Sequence, residues 1–569
     1  MLVFGFDWKM KGIVMMFRAL VSLLTVVVIN GTSAADYDVI IRNGTVYDGT
    51  GAPPYTADLA INGDRVSAIG QFAPGAADLD IDASGLAVAP GFFNMLSHAH
   101  VSLISDGRAM SDVMQGVTFE VLSEISMSPL TDVSADFWGR FSKEKVDLNW
   151  RTVGEYLQTV ETKGVSVNFA TFVSAATVRM NIIGTDDIDP TPSQLDMMKS
   201  QVAEAMEDGA LGLTTALIYA PATYAETEEL IELAKVAGQY GGIYTAHMRS
   251  ESNRFIESID ETLRIGREAN LPVKIHHLKS AGRANWQKMD IAIDKIEALR
   301  REGIPVTADM YTYTAGASGL DPSMPSWVQA GGYDKWVERL KDPEIRARVK
   351  EEMTVNAQDW ENLGYLAGPE GMRFVGFRNE ALRKYNGMFL AEVAAAREQD
   401  PRDTIIDMVI EDGSRVDTAY YLMSEENLKK QIRQPWVMFG SDAEAVAAEG
   451  RTLEGGVHPR TYGNVARLLG KYVRDEKVIP MEEAIRRLSL LPAQTLGIQE
   501  RGRLAPGYFA DIAIFDATTI NDNARFDDSH QYASGMQYVF VNGVPVVSNG
   551  EHTNATPGRA VHGPGWTQR

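Results

Sequence analysis

Two β-patterned segments at opposite ends of the chain enclose a long stretch in which apolar strands alternate with amphipathic helices. The first segment covers residues 37–89: YDVIIRNGTVYDGTG, DLAINGDRVSAIGQF and GLAVAP. Its alternating apolar residues are broken by Asn-Gly and Asp-Gly, the turn dipeptides of β-hairpins. The second covers ADIAIFD (510–516) and YVFVNGVPVVSNGEH (538–552). Each is small for a sheet with its own core, so the two ends are expected to pair into one β-sandwich, built from 36–89 and 500–569. Between them lie eight strand candidates, at 90–98, 117–123, 165–172, 211–219, 242–247, 273–279, 306–313 and 436–441. Alternation of this kind argues for parallel β/α architecture, and eight units predict a closed (β/α)8 barrel over 90–499. The clearest helical patterns are 192–209 and 285–303, each closed by Gly. About 120 residues separate the last two strands, too many for a loop, so 319–434 is expected to be an inserted, partly helical subdomain over the barrel mouth.

Composition narrows the partners. The chain has 569 residues, with 54 Lys and Arg against 76 Asp and Glu, a formal charge of -22. Such an acidic chain repels polyanions, which argues against nucleic acid and against an anionic membrane surface. There is no cysteine, so disulfides and thiolate metal ligands are excluded. At the N-terminus, Lys9, Lys11 and Arg18 precede the apolar run 19–29, and small residues follow at 31–35. This is the pattern of a secretory signal over 1–35, with the mature chain starting near Asp36 in the periplasm or outside the cell. The run is short for a transmembrane span, so no stable membrane association is expected once the signal is removed.

Reactive groups of a β/α barrel sit at the C-terminal ends of its strands. Those ends carry His98 and His100 after the first strand, Glu124 after the second, His247 after the fifth, His276, His277 and Lys279 on the sixth, and Asp442 after the eighth. Five of the nine histidines therefore fall at these ends. Imidazole and carboxylate together suit Zn²⁺ or a similar divalent ion. By period-two geometry, His98 and His100 share a face, while His276 points away from His277 and is read as packing or as a support behind the ligands.

The layout resembles the amidohydrolase superfamily, and within it the N-acyl-D-amino-acid deacylases (D-aminoacylases). The resemblance rests on APGFFNMLSHAH (89–100), GVTFEVLSE (116–124), AHMRSE (246–251), HLKSAG (277–282), DMYTYTAG (309–316), GSDA (440–443), HPRTYG (458–463) and RGRLAPGYFADIAIFD (501–516). Two departures stand out. Leu96 occupies the position of the superfamily's first strand-one His, and Glu124 matches the position where the deacylases place a Cys ligand. The resemblance implies metal ligation by Glu124, His247 and His277, with His98 and His100 as candidates for a second position. It implies one tightly bound divalent metal, with a second possible, and Asp442 as general base and then general acid. Lys279 and Arg460, supported by Tyr311 and Tyr219, are implied to bind the carboxylate of a small N-acyl amino acid. A dipeptidase, a lactonase or a mycotoxin amidase on the same scaffold, or a binding protein that has lost its metal set, are the other readings open at this point.

Overall fold

The computed structural model describes residues 36–141 and 146–567; the expected signal segment lies outside the described residues. The two chain ends do pair. Ile512–Phe515 runs antiparallel to Ala87–Pro90 on one edge and to Met536–Val541 on the other. Hydrogen bonding joins them into one nine-stranded sheet rather than two separately bonded layers. The reason is the ten-residue strand Tyr37–Val46. One edge pairs with Tyr55–Asn62, and the other is shared between Ala77–Asp82 and Ala87–Pro90. Period-two alternation divides the burial. Val88, Ile512, Ile514 and Phe540 enter a core belonging to the chain ends, while Ala87, Ala89, Ala513 and Phe515 join the main core of the molecule.

In the middle of the chain the fold is mixed α/β. Phe92–Ser97, Val117–Leu122 and Asn168–Thr171 form one parallel sheet. Val173–Ser174, Gly212–Ala216, Ile243–His247, Val273–Ile275, Val306–Met310 and Val437–Phe439 form a second, also parallel and in chain order apart from the long excursion before its last strand. Phe172 N–H donates to Leu122 O and Leu211 N–H to Thr171 O, bridging the two sheets at the third strand. At the other margin, Asp442 N–H donates to Leu96 O and His98 N–H to Ala443 O, both at 2.9 Å. Gly440 allows this approach: a Cβ there would sit 2.6 Å from Leu96 N. Both helices singled out from the sequence are present, as Pro192–Glu207 and Lys288–Arg301. The first opens with a capping box between Thr191 and Gln194 and with Pro at its start.

The long stretch before Val437–Phe439 carries a three-stranded antiparallel sheet, Ala315–Ser318, Asp417–Tyr421 and Met372–Gly376. Helices Tyr333–Lys341, Pro343–Glu352, Pro401–Asp412 and Glu425–Ile432 accompany it. Its strands begin at Ala315, before the expected boundary at 319. Its core includes Trp336, Phe374 and Tyr420 and runs without a break into Tyr311 and Tyr313, which fixes it to the strand ends described next. Among the described residues, no helix is long and apolar enough to cross a membrane.

Candidate metal centre

Glu124, His247 and His277 converge at the ends of three parallel strands. Glu124 Oε1 lies 2.5 Å from His247 Nδ1, His277 Nε2 lies 3.0 Å from His247 Nδ1, and Glu124 Oε2 lies 3.7 Å from His277 Nε2. All three residues are buried. Two imidazole nitrogens and a carboxylate meeting at one point are the donor chemistry of a divalent zinc-type site. A second group shares Glu124: His98 Nε2 is 3.1 Å from Glu124 Oε2 and 2.9 Å from Asp442 Oδ1.

The backbone is bent to bring these groups together. Glu124 (φ 69°), His277 (φ 31°) and Asp442 (φ 51°) all adopt left-handed conformations, which cost a non-glycine residue on the order of 1–2 kcal/mol each. Each bend is held by a specific bond. Glu124 N–H donates to Thr214 Oγ1 at 3.0 Å, His277 N–H donates to Asp309 Oδ1 at 2.7 Å, and Asp442 N–H donates to Leu96 O. Asp309 is in turn paired with buried Lys274. The flanking Ser441 is clamped by Asn94, whose Oδ1 accepts from Ser441 N–H and whose Nδ2 donates to Ser441 Oγ, both at 2.8 Å.

Glu251, the last residue of AHMRSE, carries no sequence signal that marks it for the site. It lies behind the two imidazoles. Its Oε1 is 2.9 Å from His277 Nδ1 and accepts from Lys279 Nζ at 2.6 Å, and its Oε2 is 3.8 Å from His247 Nε2. Carboxylates in this position orient ligating imidazoles and fix their tautomer. Burial raises the Glu251 carboxyl, but Lys279, His277 and His247 outweigh it and hold it well below the usual range. Glu124 is likewise raised by burial and held down by His247, His277 and His98. For His98, burial favours the neutral ring, and Asp442 and Glu124 reverse this, raising it to about 10.

Asp442 is buried and faces two partners: Oδ1 meets His98, and Oδ2 lies 2.7 Å from Arg460 Nη1. Burial raises its carboxyl, and Arg460 and His277 more than compensate. Arg460 stacks over the Tyr311 ring at 4.5 Å, and its backbone N–H donates to His458 Nδ1 at 3.0 Å. Lys279 Nζ lies 2.7 Å from His277 Nδ1 in addition to its bond with Glu251. Tyr219 accepts from Ser318 Oγ at 2.9 Å, its ring 5.3 Å from that of His247. Lys279, Arg460, Tyr311 and Tyr219 line the same cavity of about 370 Å³ as the donor groups.

His100 departs from expectation. The first strand ends at Ser97, so period-two geometry no longer governs residues 98–100, which form a turn. His98 enters the site and His100 turns behind it. There its ring lies 6.4 Å from that of Tyr156, it joins neither donor group, and burial lowers its pKa to about 3. His276 lines no part of the cavity, its Nε2 3.0 Å from Ser123 Oγ and its Nδ1 3.0 Å from Lys274 Nζ; its strand ends at Ile275, so the turn at 276–277, not strand alternation, separates it from His277.

Comparison with known proteins identifies relatives of the whole chain. The model of the amidohydrolase family matches residues 80–547. D-aminoacylase of Alcaligenes xylosoxydans xylosoxydans is 30% identical over 92% of this chain and 97% of its own length. A solved D-aminoacylase, described for its binuclear metal center with one-metal activation and second-metal attenuation, superposes with a TM-score of 0.77. It is 29% identical and covers 92% of this chain and 100% of the other. An N-acyl-D-glutamate deacylase from Bordetella bronchiseptica, complexed with zinc and a phosphonate mimic of the tetrahedral intermediate, also gives 0.77. It is 26% identical over 93% of this chain and 100% of the other.

Proposed function

Because the chain belongs to the amidohydrolase family, we propose that it is a metal-dependent hydrolase that cleaves the amide bond of N-acyl-D-amino acids. The observation that carries this reading is the buried Glu124–His247–His277 donor set with Asp442 next to it, bridged by His98. The deacylase names of the relatives support the linear amide and the D configuration. With Asn168–Thr171 and Val173–Ser174 taken as one interrupted strand, the parallel strands number eight and are read as a closed (β/α)8 barrel; the hydrogen bonds between Leu96–His98 and Asp442–Ala443 support closure. Residues 319–434 are read as an inserted subdomain covering its mouth. The basic and apolar N-terminal pattern supports action in the periplasm or outside the cell.

Glu124, His247 and His277 would hold one divalent cation, zinc being the natural fit to these donors. The bound cation supplies Lewis acidity toward the amide carbonyl and toward water. Asp442 takes the proton of the attacking water on its carboxylate and delivers it to the leaving nitrogen as the C–N bond breaks. The products are a carboxylic acid and a free amino acid. Arg460 keeps Asp442 ionised at the start of the cycle and, with Lys279 and Tyr311, offers the positive wall that a free α-carboxylate needs. A panel of N-acetyl D- and L-amino acids, scored for released amine with metal content confirmed, tests the reading. Equal or faster release from the L-series removes the stereochemical assignment, and no release from any acylated amino acid removes the deacylase assignment.

A further inference from the structure

The wall of the catalytic cavity is chemically divided. Along the chain from His247 onward it carries Glu251, His277, Lys279, Arg415, Asp417, Asp442, Glu444 and Arg460. Between Glu124 and His247 every lining residue is uncharged. The side chains there include Ile125 and Met127 beyond the second strand, Phe137 and Trp138 on the helix Asp132–Phe141, Met180 on the helix Ala175–Ile183, and Ile218 after the fourth strand. Phe137 and Trp138 stand edge to face, ring centroids 5.0 Å apart. The one polar atom of these six side chains, Trp138 Nε1, has no hydrogen-bond partner. The result is an apolar lobe reached past Glu124, on the side supplied by strands two to four. Lys279 and Arg460 come from the ends of strands six and eight, whereas Arg415 stands at the margin of the lobe, 4.8 Å over the Tyr219 ring.

That opposition sets a direction for a bound substrate. With the α-carboxylate against Arg460 and Lys279, and the scissile amide at the donor groups and Asp442, the acyl half continues toward the lobe. We propose that the lobe is an acyl-chain subsite, and that the enzyme's substrates are N-acyl amino acids bearing a medium-length aliphatic or aromatic acyl group rather than acetyl. The proposal rests on the deacylase reading above. Water leaves an apolar surface of this kind at little cost, and each methylene buried there improves binding about 3–4-fold.

The test is a series of N-acetyl, N-butyryl, N-hexanoyl, N-octanoyl and N-phenylacetyl derivatives of D-Ala, with the same series on D-Phe, and the full-length zinc-loaded enzyme. The expected result is a kcat/KM that climbs at least about 30-fold from acetyl to hexanoyl, then levels off as the lobe fills. Ala176, on the wall of the same lobe, gives the blocking variant. Ala176→Phe should cut the hexanoyl-to-acetyl ratio at least 10-fold. Phe137→Ser, a milder change on a half-buried side chain, should lower the same ratio. Thermal melting and zinc content identify which variants remain folded. A flat or falling chain-length profile with good acetyl turnover overturns the subsite and leaves the deacylase reading standing. A profile flat in acyl length but rising from D-Ala to D-Phe, and abolished by Ala176→Phe, assigns the lobe to the amino-acid side chain and also overturns the proposal. No release from any member of the series defeats the deacylase reading itself.

Discussion

Arg460 Nη1 lies 2.7 Å from Asp442 Oδ2, both side chains buried, so the proposed general base and the strongest carboxylate-binding cation form one ion pair. A guanidinium has five N–H donors in a planar fork, and Arg460 Nη1 and Nε make no hydrogen bond, so the pair with Asp442 is electrostatic and leaves donors for a substrate carboxylate. The two duties separate experimentally. Arg460→Met should reduce kcat/KM for an N-acyl amino acid by at least about 30-fold more than for its methyl ester, the scale of about 2–5 kcal/mol for a buried charge deprived of its partner. Equal losses on acid and ester would mean that Arg460 serves Asp442 alone.

Glu251 stands behind the two imidazoles proposed as ligands, 2.9 Å from His277 Nδ1 and 3.8 Å from His247 Nε2, and is paired with Lys279. Outer partners of this type contribute about 10–100-fold to metal affinity. Glu251→Gln keeps the volume but lacks the second acceptor oxygen and the charge. It should weaken zinc binding by about that factor in a chelator competition, with the melting transition of the metal-free protein little changed. Unaltered affinity would reduce Glu251 to a counter-ion for Lys279.

Much of this site could be read from the sequence because barrel strands are short apolar runs whose first polar residues face the catalytic end. His247, His277 and Asp442 each follow such a run; the first two meet at Glu124, and Asp442 joins the second group that shares Glu124. His98 and His100 show the limit of that logic. Alternation holds only while the chain remains extended, and no pattern marked the turn that begins at residue 98. Glu251 was hidden for a different reason. It lies four residues past its strand, in a loop whose path is set by tertiary bonds, such as Ser250 N–H to Ser258 Oγ and Glu251 N–H to Glu361 Oε1. The branching of the end sheet was equally hidden, since a strand that changes partner midway has the same alternation as one that does not.

Beneath the first strand, Asp112 and Glu120 are buried together. Asp112 accepts from Asn94 Nδ2 at 3.1 Å and Ser111 Oγ at 2.8 Å, linking it to the clamp on Ser441. Burial raises Asp112 to about 7, and burial with the neighbouring Asp112 charge raises Glu120 well above its ordinary value. Folded pKa values above unfolded ones mean that the unfolded chain releases these protons first. The pair's contribution to stability is therefore complete below pH of about 4 and declines as pH rises through about 7. Glu120→Gln fixes the neutral form, so its melting temperature should gain on the wild type as pH goes from 5 to 8. A constant difference across that range would show that Glu120 is not held protonated in the fold.

Metal number gives the sharpest test, because the two donor groups share Glu124 but are not equivalent. The group with His247 and His277 brings two imidazoles and one carboxylate, supported from behind by Glu251. The other has a single imidazole, His98, and its second carboxylate, Asp442, is already paired with Arg460. Leu96, buried and without a lone pair, stands where the superfamily resemblance places a further His, and His100 has turned away. A cation at this second position would compete with Arg460 for Asp442, and would take up the carboxylate assigned to proton transfer. The expected outcome is about one tightly held zinc per chain by elemental analysis after gel filtration. Glu124→Ala should lose that metal together with activity, because it removes the oxygen donor common to both groups. His98→Ala should keep the metal, since its ring belongs only to the weaker group, and His100→Ala should keep both metal and most activity. Two ions per chain that survive dialysis, with one lost on His98→Ala, would instead establish a binuclear centre in which Asp442 is a ligand. A fully active Glu124→Ala enzyme would remove the metal assignment altogether, since no other residue of that strand end stands in either donor group.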